Sequence, residues 1–398
     1  MPSPSSSPKL SSASATFSAD PKGRILLFDI AIIGGGIAGV SLAHFISGSR
    51  SVLMLEREAF HGYHASGRSA AEFTRRFHAP EVGKLAAASA EFLMNPPDGF
   101  AEAPLLVPRG ILLVADAEKA AHLHDVFRRE CASGGEILMQ SMDEALARVP
   151  FLDPGFIKAA FYDPDCFDVE AESLLQGFVK SARRHGADIR TGCGLISARH
   201  TGAHWEMETS LGAFSAKVLV NAAGAWADPT ARVCGVSPLG LTPYRRTAIT
   251  VDLPAGVDAN ALPEVCEIDE AWYFKPDAGR LLVSPADATE SEPCDAQPEE
   301  LDVAYAVHYL EEATALTVTS VAHKWAGLRT FAPDRLPVVG FDKDHPAFFW
   351  LAGQGGYGIQ SSPALGEYAG CLLRNDHFSG GLQRAGLSGG EFAPHRLG

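Results

Sequence analysis

A glycine-rich segment, residues 34–39, constrains the fold more than any other feature of this chain because of what surrounds it. A short β-rich apolar run, 24–33, leads directly into it, and residues 37–46 then have the apolar spacing of a helix. A second short apolar run, 51–56, ends on Glu56. Glycines between a strand and a helix let backbone amides approach a pyrophosphate, and an acidic residue that closes the second strand accepts hydrogen bonds from a ribose. The pattern therefore predicts a βαβ unit that binds a dinucleotide.

The rest of the chain alternates between two kinds of sequence pattern. Apolar runs at 216–220 and 348–352 each lead into a segment of small residues, as the first run does. Residues 104–165 and 240–335 are instead punctuated by Pro and Gly and contain short segments typical of antiparallel strands. The sequence therefore predicts a mixed α/β and α+β fold, in which a discontinuous Rossmann-like nucleotide-binding domain is interleaved with an antiparallel-sheet substrate domain.

The predicted domain boundaries lie where the sequence pattern changes. We expect the nucleotide-binding domain to comprise 26–100, 166–240 and 325–398, and the substrate domain to comprise 101–165 and 241–324. The segment before them, 1–25, is rich in Ser, Pro and Ala, a composition that predicts a disordered tail.

Composition excludes several classes of partner. The formal net charge of −15 argues against a nucleic-acid or anionic-membrane surface, because both need clustered Lys and Arg. The seven cysteines are dispersed without a CxxC pair, which favours reduced thiols in the cytoplasm over a disulfide framework or a zinc site. No apolar run is long enough to span a bilayer and no cluster has metal-ligand spacing. We therefore expect neither a transmembrane segment nor a metal.

Eight segments spread over nearly the whole chain match one family. They are GYHASGRSAAEFT (62–74), NPPDGF (95–100), VLVNAAGAWAD (218–228), PLGLTPYRR (238–246), YFKPDAG (273–279), EEATALT (311–317), WAGLR (325–329) and GQGGYGIQSS (353–362). In these segments the chain resembles the D-amino-acid oxidase (DAO) superfamily of flavoproteins, and within it most closely the D-arginine dehydrogenases. The resemblance implies an FAD enzyme. Relatives similar to sarcosine oxidase attach their flavin through a cysteine, whereas the corresponding segment here, 327–334, contains none, so we expect non-covalent FAD.

The resemblance also implies where FAD would be held. The residues expected to contact it are Gly34, Gly36, Ile37, Ala38, Gly39, Glu56, Arg57, Ser66, Gly67, Arg68, Ser69, Ala70, Leu195, Ala222, Ala223, Gly224, Trp226, Gly327, Gly355, Gly356, Tyr357, Gly358, Ile359 and Gln360. Among them, Ser66, Arg68 and Ser69 would offer hydroxyl and guanidinium donors to the diphosphate and the ribityl chain. The segment 355–360 would open the last helix, whose positive dipole end would stabilise the negative charge of the reduced flavin.

Three residues in these segments match the family's anchor for a substrate carboxylate, namely Arg246, Tyr273 and Arg329. A guanidinium binds a carboxylate through two parallel hydrogen bonds, and a phenol adds a further donor. The implied reaction transfers a hydride from the α-carbon of a D-amino acid to flavin N5, and water then hydrolyses the imine to a 2-oxo acid and ammonia. Arg245 precedes Arg246 and could be confused with it.

Four further residues are expected to line the pocket for the substrate side chain: Glu72, Thr74, Phe77 and Ile111. In D-arginine dehydrogenases an acidic residue occupies the place of Ile111 and binds the guanidinium of the substrate. Its loss argues against a basic side chain, because a buried cation without a partner is costly. Glu72 could restore an anionic site from another wall, bind the substrate amine, or pair with Arg75 or Arg76. We expect a mixed pocket that takes medium-sized, partly apolar D-amino acids.

The same carboxylate anchor would serve other substrates, so the sequence leaves alternatives open. A secondary amine, such as an N-methyl amino acid or an opine-like compound, fits it, and so does a 2-hydroxy acid. A flavin-binding subunit of a larger complex would have no use for the anchor, and a nicotinamide-linked dehydrogenase would leave the segment 353–360 unexplained. The acceptor that reoxidises the flavin is expected to be oxygen or a quinone-type compound.

Overall fold

A computed structural model describes residues 26–398, and the tail predicted at 1–25 lies outside the described residues. The strands of the described part are β1 Leu27–Ile33, β2 Val52–Leu55, β3 Glu72–Thr74, β4 Leu106–Pro108, β5 Ile111–Ala115, β6 Leu138–Gln140, β7 Ala159–Asp163, β8 Cys166–Val169, β9 Asp188–Arg190, β10 Leu195–His200, β11 Trp205–Thr209, β12 Gly212–Asn221, β13 Thr242–Asp252, β14 Glu264–Glu267, β15 Tyr273–Asp277, β16 Arg280–Ser284, β17 Thr289–Glu290, β18 His323–Phe331, β19 Val338–Phe341 and β20 Phe348–Ala352. Its α-helices are α1 Ile37–Ile46, α2 Pro80–Met94, α3 Ala120–Ala132, α4 Met142–Arg148, α5 Ala171–Arg184, α6 Ala227–Val233, α7 Glu300–Ala313, α8 Gly358–Arg374 and α9 Gly380–Arg384.

The first sheet is built around parallel strands. β1 lies between β2 and β12, and β20 pairs with the last part of β12, all in parallel. The predicted βαβ unit is confirmed, with its helix at the predicted residues 37–46. Because parallel strands end at the same edge of a sheet, the segments that follow β1, β2, β12 and β20 meet there. These segments are 34–39, Glu56, 221–226 and 353–358, which are far apart in sequence.

Helices cover both faces of the first sheet. α1, α5 and α8 pack on one face and share a core of buried aliphatic and aromatic side chains. α1 and α8 approach closely at Gly366, where a β-carbon would lie 2.9 Å from the carbonyl carbon of Ser41. α6 packs on the opposite face, where Trp205 and Trp350 are buried. The glycine in α8 therefore permits the close contact that holds α1 beside the strand ends.

The second sheet has nine strands and is mostly antiparallel. Its longest pairing joins β13 to β18, from Thr242 opposite Phe331 to Thr250 opposite His323. β14 and β5 run parallel to each other, so the sheet is mixed. The strands of this sheet come from two parts of the chain, one before and one after the segment 166–240. The parallel pair β14–β5 joins a strand of one part to a strand of the other. Helices α4 and α7 pack on one face, and α3 covers part of the other.

The predicted fold class is confirmed, since a parallel-cored sheet with helices on its faces accompanies a second, mostly antiparallel sheet. A short third sheet, formed by β3, β8 and β4, lies outside both. The domain boundary predicted at 325 falls inside β18, most of which is paired with β13 of the second sheet. The division of the chain into two domains stays a prediction. Within residues 26–398, no helix is both long enough and apolar enough to cross a membrane.

The contact between α1 and α8 gives a test of this packing. In Gly366→Ala we expect the free energy of unfolding to fall by about 1–3 kcal/mol, because the methyl group overpacks the contact with Ser41. The matched change Gly83→Ala puts a methyl group on α2, where no atom lies within 4 Å. It should raise the free energy of unfolding by about 0.5–1 kcal/mol, because alanine favours helix over glycine. Urea unfolding measures both changes, and effects of the same sign would contradict the packing.

Candidate active site

A cavity of about 380 Å³ opens at the edge of the first sheet where β1, β2, β12 and β20 end. We call it the sheet-edge cavity. It is lined by residues of the glycine-rich segment 34–38, by Glu56, and by residues of the segments 62–70, 222–226 and 354–359. The segments that the parallel strands bring together therefore surround one elongated space.

The glycine-rich turn presents backbone amides to this cavity. Gly34 has φ +111°, and a β-carbon there would lie 2.3 Å from the carbonyl oxygen of Ala222. A β-carbon on Gly39 would lie 2.0 Å from the carbonyl oxygen of Gly34. At the start of α1 the amide of Ile37 donates to Oγ of Ser66 at 2.9 Å. The turn thus packs without side chains and leaves a helix N-terminus and a hydroxyl facing the place of a diphosphate.

Glu56 is held at the end of β2 by two backbone amides. Its Oε2 accepts from the amide of Gly35 at 2.6 Å, and its Oε1 accepts from the amide of Glu58 at 2.8 Å. The side chain is buried. Each carboxylate oxygen has a second lone pair, so the carboxylate can still accept hydrogen bonds from ribose hydroxyls in the cavity.

Aromatic and cationic side chains wall the cavity near Glu56. The guanidinium carbon of Arg57 lies 3.9 Å from the ring centroid of Trp226. The imidazole of His64 packs against the same indole, with centroids 4.5 Å apart. Leu195 lines the cavity in the same region. This wall suits a flat, apolar group such as an adenine.

Two buried polar atoms at the other end of the cavity have no partner. Oγ1 of Thr330 and Nε2 of Gln354 are buried and make no hydrogen bond within residues 26–398, and both side chains line the cavity. A buried polar group without a partner is costly, so these atoms indicate a ligand with polar edges. Beside them Gly355 has φ +54°, and a β-carbon there would lie 2.2 Å from the ring of Phe331.

Most residues predicted to contact FAD line the sheet-edge cavity. The exceptions among them are Gly39, Gly67, Tyr357 and Gln360. Gly39 packs behind Gly34, and the amide of Gly67 donates to the carbonyl of Gly62 at 2.7 Å. Tyr357 and Gln360 line a second cavity instead. Sequence reasoning missed Thr330 and Gln354, although Gln354 lies in the glycine-rich segment 353–362 and Thr330 directly follows WAGLR, because no sequence pattern shows that their polar atoms are buried without a partner.

The Arg68 side chain, which is predicted to contact FAD, lines the sheet-edge cavity and also makes several contacts within the protein. Its Nη1 donates to the carbonyl oxygens of Ala296 at 2.9 Å and Ala326 at 3.0 Å, its Nε donates to the carbonyl of Tyr63, and Nη2 pairs with Asp295. The guanidinium therefore ties the loop 62–70 to two other parts of the chain, and its contact with FAD stays a prediction. The sequence could not show this, since its partners lie far away in the chain.

A second cavity of about 820 Å³ adjoins the first. The seven residues predicted to form the substrate site all line it: Arg246, Tyr273, Arg329, Glu72, Thr74, Phe77 and Ile111. We call it the substrate cavity. The residues that line both cavities are Ser69, Ala70, Arg246, Tyr273, Arg329, Gly356 and Ile359. The three residues of the predicted carboxylate anchor therefore lie where the two cavities meet.

Strand register explains why these side chains share one face of the second sheet. Arg246 lies opposite Gly327 and Tyr244 lies opposite Arg329 in the antiparallel pair β13–β18. Arg246 and Arg329 are therefore diagonal neighbours on one face, since directly opposed residues point the same way. On β15, Tyr273 lines the same cavity wall. The sheet thus presents two guanidiniums and a phenol together.

The two guanidiniums form a partly buried positive site. Burial, followed by the charge of Arg329, lowers the pKa of Arg246. Nε of Arg246 donates to the carbonyl of Asp287 at 2.8 Å, which fixes the orientation of the side chain. Within residues 26–398 neither Arg246 nor Arg329 forms an ion pair with a carboxylate, whereas Arg245 pairs with Glu299 at 2.6 Å. An anion in the cavity would relieve the repulsion between the two guanidiniums.

The side-chain pocket contains a carboxyl that the sequence analysis missed. Glu264 on β14 lies opposite Ile111 on β5, and both line the substrate cavity. Burial, followed by the neighbouring carboxylate of Glu72, raises the pKa of Glu264 well above its usual range. The cavity wall beside Ile111 therefore carries an acidic residue on the neighbouring strand. No sequence pattern joins these two positions, because the pairing of β14 with β5 is what brings them together.

The alternative pairing of Glu72 with Arg75 or Arg76 is wrong. Nη1 of Arg76 lies 2.9 Å from Oδ1 of Asp163, and Nη1 of Arg75 lies 3.9 Å from Oδ2 of Asp165. The turn between β7 and β8 supplies both of these carboxylates.

Within residues 26–398, no group of three or more His, Cys, Asp or Glu side chains is placed to hold a metal ion.

The sheet-edge cavity fits FAD, and Thr330 gives a test of the fit. The side-chain-free turn suits the diphosphate, the Trp226 wall suits the adenine, and the unpartnered Thr330 and Gln354 suit the polar edge of the flavin. In Thr330→Val we expect about a tenfold weaker affinity for FAD, because one buried hydrogen bond is lost without a change of shape. The matched control is Thr250→Val, since Oγ1 of Thr250 is also buried without a partner but lines neither cavity. Titration of apoprotein with FAD measures both, and equal losses would contradict the assignment.

Several known proteins are similar to this chain over most of its length. FAD-dependent oxidoreductase domain-containing protein 1 of Bos taurus is 25% identical, with 88% of this chain and 82% of that protein covered. Dimethylglycine dehydrogenase of Rattus norvegicus is 25% identical over 85% of this chain but only 42% of its own length. The crystal structure of glycine oxidase from Geobacillus kaustophilus has a TM-score of 0.77 at 22% identity, covering 92% of this chain and 98% of that one. The solved structure of glycine oxidase shares the fold of this chain.

The family itself is identified by its sequence profile. The profile of the DAO family, described as FAD dependent oxidoreductase, matches residues 29–372. The match spans both cavities and both sheets, so it includes the cofactor site as well as the substrate side. It supports the family and leaves the particular closeness to D-arginine dehydrogenases as a prediction. This chain belongs to the DAO family of FAD-dependent oxidoreductases.

Proposed function

We propose that this enzyme oxidises a D-amino acid to a 2-oxo acid and ammonia. The observation that supports the proposal best is the position of Arg246, Tyr273 and Arg329 where the two cavities meet. A carboxylate bound there would lie beside the cofactor site with the rest of the molecule in the substrate cavity. Bound FAD supplies the acceptor for the two electrons that leave the α-carbon as a hydride. The imine left on the substrate then takes up water and releases ammonia.

The residues of the anchor act by positioning. Two guanidiniums and a phenol can give a carboxylate several charge-assisted hydrogen bonds, which fixes the α-carbon relative to the cofactor site. Because Nε of Arg246 is already held by the Asp287 carbonyl, little side-chain entropy is lost when the carboxylate binds. The N-terminus of α8 lies at the same junction, through Gly356 and Ile359. Its dipole favours negative charge on a group bound beside it.

The configuration of the substrate and the mode of cofactor binding rest on further observations. The D configuration is inferred from the segments that resemble D-amino-acid oxidases and dehydrogenases. We infer that FAD is bound non-covalently, because among the residues that line the sheet-edge cavity Cys193 is the one cysteine. Its Sγ donates to Oγ1 of Thr209 at 3.3 Å, in the region near Leu195 and away from Thr330.

A second candidate function is the oxidation of a secondary amine. Iminodiacetate is a secondary amine, and the crystal structure of iminodiacetate oxidase from Chelativorans sp. BNC1 has a TM-score of 0.73 at 21% identity; dimethylglycine dehydrogenase, named for a tertiary amine, is among the relatives. A cavity of about 820 Å³ leaves room for a substituent on the amine as well as for a side chain. The two candidates differ in the product, because a primary amino acid releases ammonia and a secondary amine releases a primary amine.

The anchor can be tested with a matched pair of arginine variants. In Arg329→Lys we expect kcat/KM for D-amino acids to fall about 100-fold, because an ammonium cannot reproduce the forked pair of hydrogen bonds. Arg245→Lys changes a neighbouring arginine whose Nη2 pairs with Glu299 at 2.6 Å, and kcat/KM should stay within about threefold of wild type. Steady-state rates with a dye acceptor, combined with an ammonia assay, measure both. An Arg329→Lys enzyme with unchanged kcat/KM would contradict the anchor.

A further inference from the structure

The carboxyl of Glu264 is the unexplained polar group of the substrate cavity. The residue is 2% exposed and lines the cavity, and its Oε2 makes no hydrogen bond within the described part of the chain. Strands seldom bury a carboxyl without a partner, because desolvation of the charged form is expensive. Neither binding of the cofactor nor the carboxylate anchor uses this group. An unpartnered acceptor that faces a cavity indicates a donor on the bound substrate.

The surroundings of Glu264 determine its charge. The titratable side chains that face it are Glu72 on β3, Cys166 and Asp168 on β8, Lys275 on β15 and Cys266 on its own strand. Nζ of Lys275 lies 2.6 Å from Oδ1 of Asp168, and Nη2 of Arg109 lies 2.7 Å from Oδ2 of Asp168. The two cations are therefore held by Asp168, and Glu264 and Glu72 lie within hydrogen-bonding reach of each other. The charge of Lys275 also acts on Glu264, and because burial raises the pKa of Glu264, this carboxyl favours its neutral form while no substrate cation lies beside it.

The position of Glu264 relative to the anchor sets the length of a substrate that reaches both. Cys266 lies opposite Tyr273, and Glu264 is two residues further along β14 on the same face. Diagonal neighbours of this kind are about 7–8 Å apart in a sheet. Ile111 and Leu113 on β5 also line this wall. A side chain that leaves the anchor therefore passes apolar groups before it meets the carboxyl pair.

We propose that Glu264, together with Glu72, binds the end of the substrate side chain, and that the enzyme takes substrates with a cationic nitrogen at the end of an apolar stem. The proposal rests on the proposed function, since the anchor must hold the substrate carboxylate. Ile111 then contacts the stem, and the carboxyl pair contacts the cation. This replaces the expectation of a partly apolar side chain, which followed from the absence of an acidic residue at 111 before Glu264 was placed beside it.

Cation binding has a further consequence for protons. A cation beside Glu264 favours its ionised form, so this carboxyl releases a proton to solvent when the cation binds. A neutral substrate of the same shape does not favour this loss. Proton release therefore distinguishes the two kinds of side chain without any change in the protein.

The test uses holoenzyme and two ligands that lack an α-amine and so cannot be oxidised. These are 6-aminohexanoate, with a terminal ammonium, and hexanoate, with a terminal methyl group. Calorimetry should show 6-aminohexanoate binding about tenfold or more tightly, because a charge-assisted hydrogen bond is made to a buried group. Repeated in buffers of different ionisation enthalpy, it should also show more protons released by 6-aminohexanoate than by hexanoate.

Two variants test whether the preference for 6-aminohexanoate depends on Glu264. In Glu264→Gln the affinity ratio of the two ligands should fall to about one, because the neutral amide cannot pair with the cation. Glu267→Gln is the matched control, since Glu267 is buried on the same strand, does not line the cavity and pairs with Lys119 at 3.0 Å. It should keep the wild-type ratio. If Glu264→Gln fails to fold, the proton release of the wild-type enzyme decides the question.

The outcomes separate this proposal from the proposed function. A preference for 6-aminohexanoate that Glu264→Gln removes supports the subsite even if no D-amino acid is oxidised. D-amino acid oxidation with an affinity ratio of about one, or with a ratio that Glu264→Gln leaves unchanged, overturns the subsite and keeps the proposed function. If neither compound binds and no D-amino acid is oxidised, both proposals are wrong.

Discussion

The pairing of β13 with β18 places two positive charges on one face of a sheet, and the rest of the site depends on that arrangement. Arg246 and Arg329 are diagonal neighbours in this ladder, and within residues 26–398 neither forms an ion pair with a carboxylate. Like charges held close in a partly buried place raise the free energy of the folded protein unless an anion joins them. Backbone hydrogen bonds along the whole ladder from Thr242 to Thr250 keep the two side chains together. The fold thereby maintains a positive site that a bound anion would stabilise.

The cofactor site depends on a second constraint, the common edge at which parallel strands end. β1, β12 and β20 come from the beginning, the middle and the end of the chain, yet each is followed by small residues that leave space at that edge. Loop 62–70 closes this space, and the guanidinium of Arg68 ties it to Ala296 and Ala326. Arg68 therefore connects the wall of the cofactor site to the strand that carries Arg329. A structural role of this kind couples the two cavities through one side chain.

Short sequence motifs predicted the parts of this structure that depend on residues close together in the chain. The strand–turn–helix unit around 34–39, the helix at 37–46 and the anchor residues all lie in short motifs, and the structure brings them to the expected cavities. What could not be predicted depends on long-range pairing. Glu264 acquires its place from the parallel neighbour of β14, and the guanidinium of Arg68 donates to carbonyl groups far along the chain. Thr330 and Gln354 became visible because burial left their polar atoms without partners.

One experiment tests most directly whether an α-amino carboxylate held by Arg246, Tyr273 and Arg329 gives up a hydride. Purified holoenzyme would be mixed without oxygen with D- and L-amino acids, N-methyl amino acids and 2-hydroxy acids, and the visible absorbance of the flavin would be followed. If the enzyme oxidises D-amino acids as proposed, they bleach the flavin and their L-enantiomers do not. Bleaching by N-methyl amino acids or 2-hydroxy acids alone would contradict the proposed substrate, and a fully flavinated protein that none of these compounds bleaches would contradict the role of the anchor.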